Sequence, residues 1–67
     1  MTDLEKFFVR TFETPSGHTV LEHLRKITVE RTLGPNATDA ELRWLEAQRA
    51  LVHQIEHLSA GGNKLSN

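Results

Sequence analysis

Phe12-Glu13-Thr14-Pro15-Ser16-Gly17-His18-Thr19-Val20-Leu21 tells the backbone to stop one helix and start another within a few residues. The Thr14 hydroxyl suits the N-cap of a following helix. Pro15 suits its first position, where a backbone N–H would have no partner. Gly17 permits the close approach of two backbones. The stretch therefore reads as a structural corner formed by Thr14, Pro15 and Gly17, and it holds no reactive side chain. With a corner here, the apolar periodicities on either side belong to two neighbouring helices.

Working outward, Thr2 and Glu5 have the spacing of a capping box, and Leu4, Phe7, Phe8, Thr11 and Phe12 recur on one helical face. This predicts a first helix from Asp3 to Glu13 with its three phenylalanines buried. A second helix is expected from Pro15 to Thr32, carrying Val20, Leu21, Leu24, Ile27 and Thr28 on one side and Glu22, Arg25, Lys26 and Glu30 largely on the other. Gly34-Pro35 cannot continue it, and Thr38 to Glu41 repeats the capping-box spacing. The third helix is expected from Asp39 to Ser59, with Trp44, Leu45, Leu51, Val52, Ile55 and Leu58 along one face. Ala60-Gly61-Gly62 supplies its stop, and the remaining residues to Asn67 are expected to be loose. The fold class is all-α: a small three-helix bundle with a tight corner between helices 1 and 2 and a long third helix, in one module over 1–60 with a tail over 61–67.

Size and composition narrow what such a module can do. In 67 residues a core supplies only ~3–5 kcal/mol of net stability without staples or partners. There is no cysteine, which excludes disulfides and thiolate metal ligands. Met1 to Lys6 lacks the basic n-region and apolar run of a signal peptide, and no segment has the ~20 apolar residues of a membrane span. Neither secretion by signal peptide nor a membrane span is expected. Eight Lys and Arg against nine Asp and Glu give a formal net charge of −1, so nucleic acid is a disfavoured partner. Arg25, Lys26 and Arg31 are read as complementing the dipole at the end of the second helix, against a sharper reading as a phosphate-contacting patch.

Candidate chemistry is sparse. His53-Gln54-Ile55-Glu56-His57 matches the H-x-x-E-H pattern of some zinc peptidases, in which two imidazoles one turn apart share a metal. A catalytic zinc needs a third, rigidly held ligand. On a helical wheel the two histidines fall with Glu46 and Ala50, opposite the apolar stripe, so they are read as solvated and no metal or other cofactor is assigned. No Gly-x-Ser-x-Gly elbow or phosphate-cradling glycine loop occurs, and a bundle this small is expected to lack room for a ligand pocket of ~300 Å³ or more. No catalytic residue, enzyme activity or small-molecule substrate is assigned.

Two expectations concern contacts. The third helix, at ~30 Å, is long enough for its apolar stripe to outrun the first two and leave surface for a second copy or another protein. The interaction candidates are Trp44, Gln48, Arg49, Leu51 and Ile55. Gln48 falls within the stripe, where a buried amide must be hydrogen-bonded. It either bonds the backbone at the first corner or the second helix's end, with Arg49 pairing a carboxylate, or both face a partner.

Taken together, Phe12-x-Thr14-Pro15-x-Gly17-x-x-Val20-Leu21-x-x-Leu24 and a third helix with Gln48-Arg49, Val52 and Ile55 resemble a family of short phage and prophage proteins of the Bordetella-phage type. The resemblance spans roughly residues 4 to 58 and is most specific at the corner. Ala47 stands where a glycine is common in the family, and His18 where a basic residue is frequent. The resemblance implies a protein encoded among head and tail morphogenesis genes, without assigned catalytic residues. The expected role is virion-associated or in assembly, near the portal or ejected with the genome, in the virion or host cytoplasm. Its partners would be other phage structural proteins or itself. The alternatives are a nucleic-acid-binding regulator, since short helices at a corner can present a recognition helix, and an inhibitor of a host enzyme.

Overall fold

The computed structural model describes residues 1–61 and has three helices: α1 (Asp3–Phe12), α2 (Pro15–Ile27) and α3 (Asp39–Ser59). No strand occurs among the described residues, and the protein is an all-α three-helix bundle. Residues 62–67 lie outside that range, and with them all but the first residue of the expected loose tail.

Each helix begins where its cap dictates. Thr2 Oγ1 accepts from the Glu5 amide at 3.2 Å and Glu5 Oε1 accepts from the Thr2 amide at 2.9 Å, closing the box on α1. That backbone donor, and then the Thr2 hydroxyl, hold the Glu5 carboxyl below its ordinary pKa. Thr38 and Glu41 make the same reciprocal pair at the start of α3, at 3.1 and 3.3 Å. At the corner Thr14 Oγ1 accepts from Gly17 N at 3.0 Å and donates to Thr11 O at 3.2 Å, so one hydroxyl serves the end of α1 and the start of α2. Gly61 ends α3 with φ 79°, the left-handed conformation glycine adopts without strain, and its N–H donates to Leu58 O.

The second helix stops at Ile27, five residues short of the Thr32 expected from periodicity. In a continuing helix Thr28 O would accept from the amide of residue 32. Here it accepts from the Arg31 amide at 3.3 Å and from Arg49 Nε of α3 at 3.1 Å, while Arg49 Nη2 donates to Arg31 O. The buried Thr28 turns its own hydroxyl back to Leu24 O at 2.6 Å and leaves helical geometry at φ −129°, ψ −74°. A turn amide and a tertiary guanidinium thus take the Thr28 carbonyl that helix extension would have used. The first helix ends at Phe12, with Glu13 as its C-cap.

α3 packs against both shorter helices, more extensively against α1. Its inner seam is Leu45 and Val52, 2% and 4% exposed, continued by the buried Ser59. Arg25 of α2 clamps Glu56 of α3, Nη1 lying 2.8 and 2.7 Å from the two carboxylate oxygens. Met1 lies beside Gly61, so the start of α1 meets the end of α3.

Burial of three phenylalanines is not what forms. Phe8 and Phe12 are half-buried, their ring centroids 6.0 Å apart, but Phe7 is 58% exposed and Leu4 is exposed as well. Successive helical residues are rotated by ~100°, so a ten-residue helix on one long neighbour covers the Phe8 side and leaves the Phe7 side open.

Candidate interaction surface

The corner residues are scaffold. Gly17 is buried, and a Cβ built on it would fall 2.6 Å from Phe12 Cα and still closer to Thr11 O. Only a residue without a side chain lets α2 leave α1 at this angle. Thr14 caps and Pro15 occupies the first turn of α2, as the sequence predicts. His18 Nε2 lies 3.4 Å from Glu13 Oε2 on the exposed rim of the same corner.

The five interaction candidates divide. Trp44 and Leu51 are exposed at 52% and 59%, while Ile55 and Gln48 are half-buried on the same side of α3. Arg49 is instead an internal strut, held to Thr28 O, Arg31 O and, at 3.3 Å, Glu46 Oε2. The backbone bond at the end of α2 expected of Gln48 is therefore made by its neighbour. Gln48 bonds no other described residue, and no buried side-chain polar atom among the described residues lacks a partner, so its amide is not sealed off from solvent. The swap follows from reach and rotation: at 100° per residue Arg49 points to the α2 side, and its long side chain spans to two carbonyls.

Two guanidiniums lie over exposed aromatic rings, Arg31 at 5.7 Å from the Trp44 centroid and Arg10 at 5.9 Å from Phe7. With Arg25 on Glu56 and Arg49 on carbonyls, four of the arginines are engaged within the molecule. The Arg25–Glu56 clamp was not legible beforehand, because pairing across 31 residues leaves no spacing signal.

The bundle has more room than its size suggests. An open cleft of about 550 Å³ lies among Glu13, Leu21, His53, Glu56, His57 and Ser59, correcting the expectation that no such space would form. His53 Nδ1 sits 3.4 Å from Glu56 Oε1, and both histidines are exposed as the wheel places them. Glu56 is committed to Arg25. Among the described residues no three His, Asp or Glu side chains group as ligands of one ion would. A second hollow, of about 260 Å³, lies on α1 itself beside Phe7, Phe8, Thr11 and Phe12.

Fold and surface define a class: a small all-α protein with a tight inter-helix corner and a long third helix that leaves aromatic and aliphatic side chains in solvent. A family model, Bbp19-like phage protein, matches residues 8–66, and the chain belongs to that family. It is a phage protein, in agreement with the resemblance carried by the Thr14-Pro15-x-Gly17 corner and the Gln48-Arg49 pair. No curated protein and no solved structure matches the chain. Among the described residues no helix is long and apolar enough to cross a membrane.

Proposed function

We propose that this phage protein is a virion-associated or morphogenesis factor, acting through helix-mediated protein–protein contacts and not as an enzyme, with the particle or the host cytoplasm as its place of action. One observation carries the reading. Leu45 and Val52 are the buried large apolar side chains of the described residues, whereas Met1, Leu4, Phe7, Val20, Ile27, Leu42, Trp44 and Leu51 are all at least 44% exposed. Exposed apolar surface on this scale, in a chain with so small a core, is a reason to have a partner. Attachment near the portal or ejection with the genome fits that picture, since both need a small protein held by surface contacts.

A nucleic-acid-binding regulator has less behind it. Arg25 and Arg49 are turned onto protein acceptors and Arg31 onto Trp44, which leaves no helix with a row of free cations for phosphates.

Mass spectrometry of gradient-purified virions tests the proposal. The chain is expected at a fixed copy number per particle, or, for an assembly factor, its deletion is expected to leave immature or genome-free particles. Absence from virions together with normal particle assembly in a deletion phage would overturn it.

A further inference from the structure

α3 carries two apolar seams, and the molecule uses one of them. The inner seam, Leu45, Arg49, Val52, Glu56 and Ser59, faces the bundle, with its apolar members buried and its charged members tied to α2. Each of these has an outer-seam residue immediately before it: Trp44, Gln48, Leu51, Ile55 and Leu58. The outer residues alternate in steps of four and three, the repeat that keeps a stripe facing a parallel helix over several turns. Along the seam Trp44 and Leu51 are exposed, while Gln48, Ile55 and Leu58 are half-buried. The open flank beside it is Ala47 and Gln54, both exposed. From Trp44 to Leu58 the outer seam and this flank carry no formal charge; Arg43 bounds the flank at its N-terminal end, and Glu46, His53 and His57 point elsewhere around the helix.

We propose that this outer seam pairs with the outer seam of a second copy of the chain, parallel and in register, across a twofold axis. This names the partner of the surface used in the proposed function and rests on that reading. Three features select a second copy over an unlike protein. The neutral seam offers a charged partner no complementary charge, yet meets its own copy without repulsion. The Gln48 amide, which bonds no other described residue, is donor and acceptor at once, so two such amides satisfy each other about the axis. An apolar partner would leave each unpaired. With Leu51 and Leu58 at one core position of the repeat and Ile55 at the other, and the single amide of Gln48 one heptad before Ile55 at that same position, the pattern is that of two-stranded parallel coiled coils whose register is fixed by one polar residue. Ala47 lets the helices approach closely. Arg31, over Trp44, sits at the rim, where a cation stays hydrated.

The seam spans only about 21 Å at ~1.5 Å per residue, so the pairing is concentration-dependent. Sedimentation velocity of the full chain from micromolar to near-millimolar concentration tests it, with mass expected to rise from one chain toward two. Leu51→Glu is expected to stay monomeric throughout with its helical circular dichroism retained, because Leu51 is 59% exposed and takes no part in the inner seam. The chain has no cysteine, which allows a second arm that does not depend on that variant's folding. Leu51→Cys is expected to oxidise to a covalent dimer, and His53→Cys, on the opposite face, to remain single. A wild-type chain that is monomeric at near-millimolar concentration, or equal cross-linking at 51 and 53, would overturn the proposal, as would a dimer that fails to cross-link at 51. None of these results depends on whether the chain is found in virions, so the two proposals fail separately.

Discussion

Gly17 is the residue on which the arrangement of the first two helices turns. Its missing side chain is the space occupied by the Phe12 backbone, with Phe12 C 2.9 Å from where a Cβ would sit. That neighbour is main chain and cannot rotate away as a side chain could, so Gly17→Ala must reopen the corner. The expected cost is about 1–3 kcal/mol, as for overpacking of a filled site, despite alanine's better helix propensity. Urea denaturation should show the loss, and a variant as stable as wild type would mean that the corner relaxes freely. The same residue shows what sequence can convey: Thr-Pro-x-Gly encodes a cap, a first turn and a close approach, all local events. Gln48 shows the reverse. An amide on an apolar stripe announces that something must satisfy it, but not that the neighbouring arginine reaches the carbonyls just past α2 in its place.

At the scale of elements, the end of α2 is decided by α3. Thr28, Val29 and Thr32 are moderate helix formers, so periodicity alone lets the helix run on to the glycine-proline break. Arg49 favours an earlier end by sharing the Thr28 carbonyl with the Arg31 amide and holding the Arg31 carbonyl beyond it. Arg49→Ala removes the guanidinium from both carbonyls and leaves the Thr28 carbonyl with the Arg31 amide at 3.3 Å, free to accept from the amide of residue 32 instead. We expect a loss of about 1–3 kcal/mol and, by amide hydrogen exchange, altered protection confined to residues 28–32 and the facing turn of α3. Uniform loss of protection along all three helices would instead mean that Arg49 holds the whole bundle. The boundaries of α1 and α3 needed no such contact, because Thr2–Glu5 and Thr38–Glu41 are self-contained boxes within one turn. Element starts were therefore legible and one element end was not.

For the whole molecule, the decisive quantity is how little is buried. Among the described residues Leu45, 2% exposed, is the one large side chain that is fully buried, in a chain whose net stability is expected to be only ~3–5 kcal/mol. Leu45→Ala costs about 2–5 kcal/mol in a packed core, enough to leave this protein substantially unfolded at low concentration. Circular dichroism on dilute protein should show the loss of helix. Recovery of helix on raising the concentration would follow if association through α3 supports the fold, since binding of the folded form alone stabilises it by mass action. An unchanged spectrum at all concentrations would mean that the core is larger than Leu45 and Val52.

By itself the sequence determined the class, three helices with their caps and the corner, because each depends on residues a few positions apart, and it carried the phage family as a pattern along the chain. The tertiary structure decided which apolar residues are covered, where α2 stops, and that Arg25 reaches Glu56 across 31 positions. Periodicity marks every apolar side of a helix alike; which side is buried depends on where a neighbouring helix lies. In a molecule with two short helices and one long one, there is not enough neighbour to cover them all.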